Sequence, residues 1–257
     1  MALIRFVSLV LLSHLLLLTC DHGYGVTKMS ESTGLMEDPK LGIVCTINDL
    51  HVGKTITFQV PTKDPSSLPH FLPREEADSI PFSVEEFPNL LQLFSISQNS
   101  PQAKAIKRTL EDCESKPPIK QVKFCATSLE SMVDSVRAFF GSESPFKALG
   151  TTSLTKSNYT FLDVKEVSTS KTMVLVCHNT PYPYAVFYCH DLGDTKVFEI
   201  SLGGHQNGET AAAFFVCHMD TSGFAPDNMV FRLLGIKQGT SPVCHYVFPQ
   251  DLLWVPY

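Results

Sequence analysis

Val174-Leu175-Val176-Cys177-His178-Asn179-Thr180-Pro181-Tyr182-Pro183-Tyr184-Ala185-Val186-Phe187-Tyr188-Cys189-His190 sets the pattern for the last third of the chain. Two runs rich in β-branched and aromatic residues, Met173 to Cys177 and Ala185 to His190, flank a proline-containing break, and each ends on Cys followed by His. This is the order strand, turn, strand. Runs of the same texture recur at Val197 to Leu202, Ala212 to His218, Met229 to Leu234 and Val243 to Phe248, separated by Gly and Pro. They predict an antiparallel sheet or a small barrel.

Upstream the periodicity lengthens. Lys54 to Val60 alternates as a first strand after Gly53. Ser83-Val84-Glu85-Glu86 has the form of a capping box, and Phe87, Leu90, Leu91 and Phe94 then follow at helical spacing, predicting a helix over about 84–97. Pro88 moves its true start toward its own position. Ile106, Leu110 and Cys113 mark a second helix over 103–114. Thr127-Ser128-Leu129-Glu130 opens a third, carried by Met132, Val136 and Phe139 and stopped at Gly141. A helical segment followed by strands, rather than alternating with them, predicts an α+β domain whose C-terminal sheet or barrel carries the Cys-His pairs.

Those pairs are Cys177-His178, Cys189-His190, Cys217-His218 and Cys244-His245, with 10, 26 and 25 residues between successive pairs and eight between His245 and Trp254. Neighbouring residues on a strand point to opposite faces, so four such dipeptides build one layer of sulfur and another of imidazole. Two layouts follow. In one, the four cysteines pair among themselves, in any of three connectivities, and His178, His190, His218 and His245 gather into a copper- or zinc-type site. In the other, a cysteine or two remain thiolates and join the histidines on the metal. Cys113 and Cys125 stand at the ends of predicted helices around Pro117-Pro118, where a disulfide would close a hairpin. Cys45 is left over. Trp254 is a core plug.

The chain has 257 residues, a formal charge of −6 and 18% charged residues, which does not suit nucleic-acid binding or disorder. Arg5 precedes an uncharged run from Phe6 to Cys20, with Gly23 and Gly25 two apart beyond it. Residues 1–25 are therefore expected to be a secretory signal peptide, the run being shorter than the roughly 20 residues of a membrane span. No transmembrane anchor is expected. Residues 26–43 form a short polar leader, taken as mobile, and 44–257 a single domain. Asn158-Tyr159-Thr160 is a glycosylation sequon in this secretory context. Gly-x-Ser-x-Gly and His-Glu-x-x-His are absent, and Gly53-Lys54-Thr55 lacks the glycine that opens a phosphate loop.

The four Cys-His pairs and the following tryptophan resemble the signature of the plant BURP-domain family, over about 45–257. The resemblance continues through Cys125-Ala126-Thr127-Ser128-Leu129-Glu130-Ser131-Met132, Phe71-Leu72-Pro73-Arg74 and Asp49-Leu50-His51-Val52-Gly53-Lys54. Val44-Cys45 stand where the family commonly has two phenylalanines. The resemblance implies a plant protein that is secreted to the cell wall or delivered to the vacuole, with a role in seed or reproductive development, stress response or the wall. The repeat-free leader is similar to that of the group named for unknown seed proteins. Some family members are copper-dependent cyclases that crosslink Tyr or Trp side chains of a peptide, often one in their own leader. Residues 26–67 hold neither Tyr nor Trp. The expectation is therefore a copper-binding protein with a non-catalytic or undetermined role or, as the alternative, a cyclase acting on a separate precursor peptide; a wall component is the other candidate partner.

Overall fold

The computed structural model describes residues 36–38, 42–58, 68–116, 122–168, 173–205 and 208–257. The signal-peptide reading and most of the leader lie outside them. Twelve described strands form two sheets, antiparallel throughout. The seven-stranded sheet runs β1 (Met36–Asp38), β2 (Gly42–Thr46), β11 (Val243–Tyr246), β10 (Thr210–His218), β9 (Thr195–Gly204), β6 (Ser157–Glu166) and β3 (Thr55–Phe58). The five-stranded sheet runs β4 (Lys123–Ala126), β8 (Val186–Asp191), β7 (Leu175–Thr180), β12 (Leu252–Pro256) and β5 (Phe146–Leu149).

Alternation along the strands assigns the faces. Val176, Leu253 and Val255 of the smaller sheet, with Val174 just before β7, pack against Val197, Phe214 and Val216 of the larger, so the two sheets lie face to face. The far face of the smaller sheet, with Leu175, Phe187 and Trp254, is covered by α4 (Leu129–Phe140) through Met132, Val136 and Phe140. The far face of the larger sheet buries Ile56, Phe58, Tyr159, Phe161, Leu202, Phe215 and Tyr246. Phe58 on β3 meets Tyr246 on β11, four places away in strand order, with ring centroids 5.0 Å apart. That sheet curls strongly on itself, and no ladder joins β1 to β3 among the described residues. The small barrel of the sequence reading is thus an incompletely closed sheet packed on a second one.

Three further helices, α1 (Arg74–Ser79), α2 (Phe87–Leu93) and α3 (Pro101–Glu114), share a core with Tyr182 and Tyr184 from the β7–β8 turn and Val186 at the start of β8. Pro88 occupies the first turn of α2, whose N-cap is Glu86, so the expected helix over 84–97 shortens at both ends. The helix after Cys125 begins one residue later than its box suggested. Ser128 accepts from the Ser131 amide, and Ser131 returns the bond.

Strands outnumber the expectation and are not confined to the end of the chain. β1 to β3 precede the helices, β4 stands between α3 and α4, and residues 36–38 and 42–43 of the expected leader are strand. Met229 to Leu234, read as a strand, is the helix α5. The Asn228 side chain accepts from the Val230 amide, and Gly235 ends the helix in the left-handed region at φ 65°. A six-residue apolar run has no period long enough to separate strand from helix, and its caps decide.

Candidate functional site

Cys177 and Cys189 are directly opposite on β7 and β8, with Cα atoms 4.0 Å apart, and they are joined as a disulfide. Cys217 and Cys244 repeat the arrangement on β10 and β11 at 3.9 Å. Cys113 pairs with Cys125, tying the end of α3 to β4. The three connectivities left open by the sequence thus resolve to nearest cross-strand neighbours. With all four Cys-His cysteines in disulfides, the thiolate layout falls away. Cys45, the odd one, faces Cys244 across the β2–β11 ladder as a buried free thiol, and burial drives its pKa well above the ordinary value.

Each sulfur pair places its histidines on the reverse face. His178 and His190 are diagonal neighbours across β7 and β8, with rings stacked at 5.5 Å. His218 and His245 are the equivalent diagonal across β10 and β11, also at 5.5 Å. The sulfur layers face outward, into the core under α4 and into the curl of the larger sheet, and the imidazole layers face each other between the sheets. His190 lies within electrostatic reach of His178 and His245, and His218 within reach of His245 and His190. The sequence separated these side chains by as many as 67 residues. The sandwich brings them together.

Burial favours the neutral form of His190, His218 and His245. Desolvation lowers His190 to about 4 and His218 to about 3, each helped by neighbouring imidazoles, and His245 is lowered by the same cause. The Nδ1 atoms of His190 and His245 meet the carbonyls of Asp191 and Tyr246, at 3.0 and 3.3 Å. A carbonyl only accepts, so Nδ1 carries the proton and Nε2 keeps its lone pair. The main chain at Leu192 hydrogen-bonds His218. His178 differs from the rest, since its Nδ1 donates to a carboxylate, Asp251, at 2.9 Å.

Asp251 was not singled out in the sequence. The signal was present, because it is the one carboxylate in the eight residues before Trp254 and shares the parity of Leu253 and Val255, which face inward. A cavity of about 300 Å³ opens beside the histidines. His178, His218, His245, Asp251 and Asn228 contribute polar side chains to its lining, and Phe224, Tyr246 and Phe248 contribute aromatic ones. Among the described residues no three His, Cys, Asp or Glu side chains are grouped to hold a metal ion as they stand, so the donors are presented as two pairs.

Trp254 is 7% exposed and meets Phe146 edge-on at 5.7 Å, consistent with a core plug. Asn158 is exposed on β6, where its side chain accepts from the Thr57 hydroxyl. Asp220 caps a turn through the Ser222 amide, 2.8 Å away, and has no place in the site. No described helix is long and apolar enough to cross a membrane.

The family model for the BURP domain matches residues 44–256. Among plant relatives, BURP domain protein USPL1 of Arabidopsis thaliana is 39% identical over 234 residues, covering 86% of this chain and 82% of the relative. BURP domain-containing protein BNM2A of Brassica napus is 41% identical with the same coverage. BURP domain protein RD22 of Arabidopsis thaliana is 36% identical over 89% of this chain and 59% of its own length. The match takes in the smaller sheet, the larger sheet from Val44 onward, the four Cys-His pairs and Trp254, and the chain belongs to the BURP domain family.

Proposed function

We propose that this is a secreted BURP domain protein that binds copper through His178, His190, His218 and His245. We assign it a non-catalytic role in seed or reproductive development, stress response or the cell wall. The observation that carries the metal reading is the pair of cross-strand disulfides, each of which throws two histidines onto the facing inner surfaces of the sandwich. Imidazoles whose Nδ1 is occupied, as in His178, His190 and His245, fit copper or zinc, because Nε2 is the lone-pair atom a metal takes. Three disulfides suit the oxidising route of a secreted protein to wall or vacuole. The test is metal content of secreted, tag-free protein and of the four single His→Ala variants. Bound copper that falls in the variants supports the reading, and unchanged stoichiometry in all four overturns it.

The cavity favours one second reading. A peptide Tyr or Trp side chain fits a pocket walled by Phe224, Tyr246 and Phe248 beside the imidazoles. The protein would then act as an oxidative crosslinker on a separate precursor peptide. Copper would supply the electron acceptor, with oxygen as the final oxidant. A precursor product two hydrogens lighter, formed by the wild type and lost in the four-histidine variant, would establish it.

A further inference from the structure

Leu252 and Cys177 are opposite each other on β12 and β7, so one further step along this antiparallel ladder sets Asp251 against His178. Asp251 is only 5% exposed, a costly place for a carboxylate. Both of its oxygens are used. Oδ1 accepts from the Asn179 amide at 3.1 Å, and Oδ2 accepts from His178 Nδ1 at 2.9 Å. Of the four site histidines, His190, His218 and His245 are tied to main-chain groups, and His178 is the one held by a side chain that substitution can change.

We infer that Asp251 is a positioning residue that fixes the tautomer and orientation of His178, holding the ring proton on Nδ1 so that Nε2 is the nitrogen offered for coordination. This rests on the metal-binding reading of His178. A carboxylate that donates nothing leaves Nδ1 no choice but to carry the hydrogen, and it raises the donor strength of the opposite nitrogen. A merely structural Asp251, tying the end of β12 to β7, would need only the Asn179 bond.

Asp251→Asn separates the two roles. The amide oxygen keeps the Asn179 bond, which turns the amide NH2 toward His178 Nδ1 and forces the ring proton to Nε2. Nitrogen NMR of metal-free, ¹⁵N-His-labelled protein is expected to show His178 as the Nδ1–H tautomer in the wild type and the Nε2–H tautomer in Asp251→Asn. Copper affinity is expected to fall about 10- to 100-fold in Asp251→Asn, with all three disulfides retained. It should fall no further when Asp251→Asn is added to His178→Ala.

An Nε2–H tautomer in the wild type overturns the inference without any variant being needed. So does an unchanged tautomer in Asp251→Asn, or a full additional loss in the double variant. If the wild type binds no copper, the metal reading fails while the tautomer measurement still decides the role of Asp251.

Discussion

Acidification of the metal-free protein should destabilise it through the histidines between the sheets. In the unfolded chain an imidazole titrates near 6.5, whereas His190 is held at about 4 and His218 at about 3 in the fold. Between those values the unfolded state binds protons that the native state refuses, so stability is full above pH 6.5 and falls as the pH drops. At pH 5 each ring is about 1.5 pH units below its unfolded pKa and still neutral in the fold, a loss of about 2 kcal/mol apiece. Together the two rings remove about 4 kcal/mol between pH 7.5 and 5, a large share of the roughly 5–15 kcal/mol of an ordinary domain. Urea unfolding of chelator-treated protein at the two pH values, disulfides intact, measures the loss. The His190→Gln/His218→Gln double variant should lose most of this sensitivity. A double variant as acid-sensitive as the wild type would refute the reasoning and return the pH dependence to the surface carboxylates.

Two further outcomes follow from the cysteines. On the loop-entropy model, replacing Cys217 and Cys244 by Ser should cost about 3.5 kcal/mol, against about 2.8 for Cys177 and Cys189, because the closed segments span 27 and 12 residues. Urea unfolding of the two paired variants checks the order, and a reversed order would place their effect in packing instead. Secreted protein should show a single thiol, that of Cys45, which reacts with a maleimide only after denaturation. Two thiols would mean that Cys20 is retained, and rapid labelling of the native protein would mean that β2 is not buried as described.

Much of this molecule was legible from residue order, for a local reason. Alternation on a strand puts each Cys and the His after it on opposite faces, so the separation of sulfur from imidazole needed only the dipeptides and the period of two. Helix α3 announced itself through spacing and α4 through cap and spacing, and Cys113 with Cys125 through their places at predicted helix ends around Pro117-Pro118. The family could be recognised from four pairs and a tryptophan. What residue order left open were matters of register and packing. The connectivity among Cys177, Cys189, Cys217 and Cys244 depends on which residues stand opposite in each ladder, and Met229 to Leu234 became a helix because of the caps at Asn228 and Gly235. That the two imidazole layers face each other, with Asp251 set against His178, was decided only when the smaller sheet packed on the larger. Such contacts join residues up to 73 positions apart and leave no periodic trace in the chain.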